Sequence, residues 1–385
     1  MPRFDRVLAG FVLVSIAGLF LFTAQSGNAF TTYLMTIALI VGWRRVGGDL
    51  RALGRDPVFL SFFVLLVFLG ASATWSPGAG SLDVLKAESR VLFVIAYVVA
   101  TASLVHRYPE FPFWTAVAIA AAATLAALIA AASGHVDRGR LIGWGDLDRP
   151  VMAGLAWGAA SLLALCLTSR SVPSQRLTDS LRRGFGVAAA LVTFAAMLWS
   201  GSRSAWIGWV SGGALLSVLT TTRPRAISLA WLLLATGGAA WIAADPMLTS
   251  TLLPRGDSFR PEIWLSTLDA VQRGNWLLGA GLLTHHATSE AGYVIAHPHS
   301  IYLATLFHGG IVATVLFVGL LVGALVRVLR RRADWTARAS ATLLAFAVPA
   351  IALDGGILVD KVGYLWLLLW TPIAWAISAS RPSSY

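Results

Sequence analysis

The sequence predicts an all-α polytopic membrane protein, and three observations carry that prediction. Of its 385 residues 57% are hydrophobic and only 12% are charged, a composition far from that of soluble domains. Apolar runs recur along the whole chain, and at ~1.5 Å rise per residue a run of about 20 residues crosses roughly 30 Å of hydrocarbon. Backbone groups in lipid have to be satisfied within their own segment, so runs this continuous are helices rather than barrel strands. The third observation is the way positive charge alternates between the gaps.

Twelve spans are expected, at 7–24, 29–43, 57–74, 91–106, 112–132, 150–168, 185–200, 205–221, 226–244, 299–326, 339–356 and 362–379. The first run is followed by no small-residue cleavage site, which makes it a retained span rather than a removed signal peptide. The single cysteine, Cys166, lies within an apolar run, so no intrachain disulfide is available. The N-terminus, the even-numbered gaps and the C-terminus hold 19 of the 29 Arg and Lys but 6 of the 18 Asp and Glu. Short cytoplasmic loops carry the basic excess, so both termini are expected in the cytoplasm and the odd gaps on the exported side. The net charge of +11 then reports orientation and contact with anionic membrane lipids. A nucleic-acid partner is not expected, because the 16 tryptophans sit mostly at span ends rather than along a basic groove.

The chain reads as one integral membrane domain, 1–385, with a large exported loop at 245–298 between spans nine and ten. Within that loop, SFRPEIWLSTLDAVQRGNW has the marks of an amphipathic helix. Ser258 suits its cap and Pro261 its first turn, while Ile263, Trp264, Leu268 and Val271 share one face.

Ionisable groups at span ends are candidates for function. Arg203 lies in the polar break SGSRSAWIGW, Arg260 opens the loop helix, and His299 opens span ten; the charge pattern puts all three on one side. Two guanidinium forks suit phosphate oxygens, and a near-neutral histidine accepts a proton from a hydroxyl. Together they suit transfer of a group from a phosphorylated donor to an alcohol. Plainer readings stand beside these: Arg203 holding a tight turn, Arg260 pairing with Asp257 or Glu262, and His299 capping its helix. Lys86 and Arg90 are further phosphate contacts on this reading, or members of a self-neutralised loop with Asp83 and Glu88. Asp354 either orients the histidine or ends a hydrated helix, and Tyr302 shares the helix face of His299 and would line its cleft. His285, His286, His297 and His299 raise a zinc site, but their spacing is irregular and no cysteine completes a set, so no metal is expected. No Walker-type Gly-rich motif is present, so no nucleotide cofactor is expected either.

One resemblance gathers these residues. His299, Ser300, the nine residues IYLATLFHG and then Gly310-Ile-Val-Ala313 resemble the His-[Asn/Ser/Gln]-x9-Gly-x-x-Gly signature of O-antigen ligases of the WaaL type, with Ala313 in place of the second glycine. SGSRSAWIGW and FRPEIW resemble the family's two arginine segments. The resemblance implies a GT-C-like, inverting, metal-independent glycosyltransferase of the bacterial inner membrane, with its site facing the periplasm. It would move O-antigen from undecaprenyl diphosphate to lipid A-core, with His299 as base and Arg203 and Arg260 on the diphosphate. The alternatives are an O-antigen polymerase using the same donor, or a twelve-helix transporter of an anionic solute. A transporter would favour paired broken helices at the midplane, whereas these charges sit at the rim.

Overall fold

The computed structural model describes residues 1–23, 25–169, 176–221, 223, 226–227, 230–231, 260–285, 288–290, 293–295 and 297–378. These residues are overwhelmingly helical. In chain order the helices are α1 (Arg3–Leu21), α2 (Gln25–Val41), α3 (Trp43–Leu53), α4 (Pro57–Ser72), α5 (Ser81–Arg107), α6 (Phe111–Ala132), α7 (Pro150–Thr168), α8 (Arg176–Ser200) and α9 (Arg203–Thr220). After the loop region come α10 (Arg260–Arg273), α11 (Ile301–Arg330), α12 (Trp335–Ala352) and α13 (Thr371–Ser378), the last entered through a π-helical turn at Trp366–Trp370. Two short hairpins, β1–β2 (Val136–Asp137 with Arg140–Leu141) and β3–β4 (Thr288–Glu290 with Tyr293–Ile295), lie in the connections.

Among the described residues eight helices are long and apolar enough to cross a membrane, with shorter apolar helices at Ala29–Val41 and Trp366–Ser378. The expected ninth span, 226–244, falls almost wholly outside the described residues, as does Ser258. α7 is the central helix: it packs against α6, α8, α9 and α12, and its small side chains let those neighbours approach closely. Large apolar side chains such as Ile40, Leu60, Leu128, Leu191 and Val315 point outward instead. In water such a surface would be a liability; around a membrane bundle it is what lipid solvates.

Polar cross-links gather at the two ends of the bundle. At one end Arg107 donates to Asp5 (2.8 Å) and Asp49 (2.7 Å), Tyr108 donates to Asp5 (2.6 Å), Arg327 grips Asp56 (2.6 Å), and the Trp335 indole donates to the Cys166 carbonyl (2.8 Å). These contacts join the N-terminus, the second, fourth and tenth gaps and the end of span six that leads into the sixth gap. At the other end Arg90 pairs with Asp360 (3.2 Å), Lys361 lies 3.6 Å from Asp146, Arg140 donates to the Ser200 carbonyl (2.5 Å), and the Leu282 N–H donates to Ser72 (3.1 Å). These join the third, fifth, ninth and eleventh gaps with the ends of spans three and seven that lead into the third and seventh gaps. The fold thus sorts the connections into the two sets that loop charge had separated.

Three expectations are corrected. WRRVGGDLRAL, read as a loop, is the amphipathic helix α3. α5 begins at Ser81, ten residues before the expected span, so Lys86 and Arg90 stand on its first turns rather than in a loop. Span ten is not one straight helix: Gly310 has φ 63° and ψ −164°, and the helix breaks there. The rings of Tyr302 and Phe317 come within 5.6 Å, although a straight helix would hold residues fifteen apart at ~22 Å. The broken backbone is repaired by the loop NWLLGAG (275–281). Carbonyls of Trp276 and Leu277 accept from the N–H groups of Ile311 and Val312, and N–H groups of Ala280 and Gly281 donate to the carbonyls of Phe307 and His308. Irregular backbone is tolerable in a membrane bundle when protein satisfies its polar groups in this way.

Candidate functional site

The site is built on the start of α11. Ser300 is the helix cap, its hydroxyl accepting from the Leu303 N–H at 3.4 Å. His299 immediately precedes it with φ 51°, a left-handed conformation that is uncommon outside glycine and costly to hold. Two contacts impose it. The Trp264 indole of α10 donates to the Pro298 carbonyl at 3.1 Å, tying the His-Pro-His turn to the loop helix. On the other side the Asp354–Gly356 turn presses against the turn so closely that a Cβ on Gly356 would lie 2.6 Å from that of His297.

Asp354 is buried, and its carboxylate lies 3.6 Å from Nδ1 of His299, too long for a good hydrogen bond. The His297 and His299 rings are 4.1 Å apart between centroids. Burial pushes the pKa of His297 down to about 4, His299 and Arg149 push the same way and Asp354 opposes them; its Nδ1 has no hydrogen-bond partner among the described residues. His297 is therefore neutral at neutral pH.

Arg203 is the first residue of α9, placed by the Gly201 turn (φ 60°) and capped by the buried Ser202. Arg260 is the first residue of α10. Burial lowers the pKa of Arg260, Asp354 opposes that shift and Arg203 reinforces it. The two arginines and the aspartate thus share one electrostatic neighbourhood. A cavity of about 410 Å³, open to one side, adjoins it. His297, His299 and Asp354 line the cavity together with Asp146, Asp148 and Arg149 ahead of α7 and with the 355–366 segment; Arg203 and Arg260 are not in its lining.

The remaining expectations divide. Arg90 reaches the site only through Asp360, whose carboxylate lines the cavity. Lys86 does not reach it: it is exposed and pairs with Asp83 on its own helix at 3.3 Å. Tyr302 does not line the cavity either, because its hydroxyl donates to the Val348 carbonyl of α12 at 3.1 Å and fastens the two helices together. On α10 Ile263 and Thr267 are buried, while Leu268, on the expected apolar face, is exposed. His286 lies outside the described residues, and among those described no group of three His, Cys, Asp or Glu could hold a metal. The contributions of Asp146, Asp148, Arg149 and Lys361 were not foreseen. WGDLDRP and VDK do stand in odd gaps, so their sidedness was the available signal.

Fold and site together define a polytopic membrane protein with a histidine, carboxylate and guanidinium cluster at one end of its helix bundle. Residues 188–318, which hold the polar break, α10, the His-Pro-His turn and the broken helix, match the family described as O-Antigen ligase. Over 332 residues the chain is 27% identical to the O-antigen ligase of Pseudomonas aeruginosa, covering 84% of this chain and 78% of that protein. Both likenesses are to O-antigen ligases.

Proposed function

We propose that this protein transfers O-antigen from undecaprenyl diphosphate to a sugar hydroxyl of lipid A-core, with both termini in the cytoplasm and the site at the periplasmic face of the inner membrane. The observation that carries the proposal is the strained His299, facing a cavity with Asp354 at 3.6 Å, beside two arginines that share the field of that aspartate. His299 takes the acceptor proton as the new bond forms between the acceptor oxygen and the anomeric carbon. The bond from that carbon to the phosphate oxygen breaks, and the diphosphate leaves with the electron pair. Asp354 stabilises the imidazolium that results, and Arg203 and Arg260 hold the departing charge. Because the donor already carries its leaving group, positioning and electrostatics supply the catalysis without a nucleotide. Guanidinium groups here fill the role that a metal plays in other diphosphate chemistry.

The name of the Pseudomonas aeruginosa relative favours a ligase, and the order of arginine break, loop arginine and histidine helix with a cavity beside the base suits transfer to a second substrate. The test is purified protein given undecaprenyl-diphosphate glycan and lipid A-core, with chelator and without nucleotide. Ligated lipopolysaccharide is the expected product. Growth of glycan only on the undecaprenyl carrier would identify a polymerase instead, and a requirement for added metal would overturn the metal-free step. His299→Ala should cut transfer by ~100-fold or more while the protein stays folded in the membrane; near-normal turnover would remove the base.

A further inference from the structure

We propose that the groove between α4 and the C-terminal half of α11 binds one anionic phospholipid, with its phosphate at Arg330 and Arg331 and an acyl chain along Gly319 and Gly323. The groove holds a cavity of about 370 Å³ between Val58 and Ser61 of α4 and Gly319, Gly323 and Val326 of α11. Arg327, Arg330 and Arg331 line its polar end. It lies at the other end of the bundle from His299, where Arg327 grips Asp56, so it is no part of the transfer site. Leu60 and Val322 beside it point outward, which marks its open side as the one that lipid covers. On the proposed orientation the lipid belongs to the cytoplasmic leaflet.

The glycines point to an acyl chain. Glycine within a helix weakens it relative to alanine, and membrane helices keep glycine where a neighbouring backbone comes close. Neither position has such a neighbour: a Cβ on Gly319 would meet nothing within 4 Å, and one on Gly323 only an ordinary 3.6 Å contact with Val58. One turn apart, they leave a channel along the outside of α11. Arg330 lies eleven residues beyond Gly319. At ~1.5 Å rise per residue that is roughly 17 Å, about the depth of one leaflet's half of the hydrocarbon. The charges point to a phosphate. Residues 327–332 hold four arginines and no acidic residue. Asp56 neutralises Arg327 and caps α4 through the N–H groups of Val58 and Phe59, and Asp334 caps α12 through that of Thr336. Arg330 is exposed and pairs with no carboxylate among the described residues. Guanidinium forks above an apolar groove between helices suit a lipid phosphate. A free phosphate would leave the channel unfilled, and a zwitterionic headgroup would bring its own cation to the arginines.

The test titrates the full-length protein in detergent with phosphatidylglycerol and, separately, with phosphatidylcholine, and counts bound lipid by native mass spectrometry. No glycan transfer is needed, so the result is independent of the proposed reaction. One phosphatidylglycerol should be retained in preference to phosphatidylcholine. Arg330→Gln should weaken its binding about tenfold, the factor for one hydrogen bond to a charged group. Gly319→Leu fills the channel at a position with open space around it, and should weaken binding without lowering the melting temperature of the lipid-free protein. Arg332→Gln removes the same charge from an exposed neighbour outside the groove and should leave binding unchanged. Equal weakening by Arg330→Gln and Arg332→Gln would reduce the contact to general surface attraction and overturn the site. Full binding by Gly319→Leu would overturn the channel, and equal retention of phosphatidylcholine would overturn the anionic headgroup.

Discussion

At the scale of single residues the site holds two histidines whose ring centroids lie 4.1 Å apart. His297 has its pKa pushed from 6.5 to about 4 by burial, and this has a consequence for stability. Between those values the unfolded chain binds a proton that the folded chain refuses, so stability falls as pH drops from about 6.5 towards 4 and is flat for this group above 6.5. Thermal unfolding in detergent across that range should show the slope, and His297→Gln should flatten it. An unchanged slope would mean that other groups carry the acid sensitivity. His299, Arg203 and Arg260 were legible in the sequence because a signature named them. The neutral state of His297 was not, since it depends on how closely the Gly356 turn packs against the ring, a contact between segments almost sixty residues apart.

At the scale of elements the decisive feature is the break in α11. Hydropathy reads 301–326 as one unbroken apolar run, because it reports burial in lipid and is blind to a change in direction. What permits the break is distant in sequence: the 275–281 loop supplies the four backbone hydrogen bonds that the interrupted helix loses. The glycine of the signature therefore serves the turn as well as packing. Its φ of 63° with ψ of −164° is open essentially to glycine alone, and a Cβ there would lie 2.3 Å from the Leu277 carbonyl oxygen. Ala313 replaces the second glycine without conflict, being a buried helical residue whose own Cβ already fits against Gly309. Gly310→Ala should cost about 3 kcal/mol or more, read as a lower melting temperature, and should reduce transfer by displacing His299. Ala313→Gly should change both little. Equal tolerance at the two positions would show that the break is not needed. α3 escaped notice for a related reason: WRRVGGDLRAL is too polar for a span, yet its apolar stripe lies against the bundle, with Val46 buried.

At the scale of the whole molecule, loop charge and folded contacts are independent lines to the same arrangement. Charge counting used only the identities of residues between apolar runs, whereas the cross-links Arg107–Asp5, Arg327–Asp56, Lys361–Asp146 and Arg90–Asp360 depend on how the helices pack. Both sort the gaps they share into the same two sets, and the candidate residues Arg203, Arg260, His299 and Asp354 lie in, or at the span ends beside, the acidic set. On the proposed orientation the acidic set faces the periplasm, because the basic excess lies in the other, and cysteine accessibility tests it. The one native thiol, Cys166, is buried and gives little background. Lys86→Cys places a probe at the site end, on a side chain that is 69% exposed, and Arg51→Cys places one at the opposite end on the exposed face of α3. In cells whose outer membrane alone is permeabilised, a membrane-impermeant maleimide should label K86C and spare R51C until the inner membrane is opened. The reverse order would turn the molecule over and put the transfer site in the wrong compartment for the proposed acceptor. Labelling of both from one side would break the two-ended architecture itself.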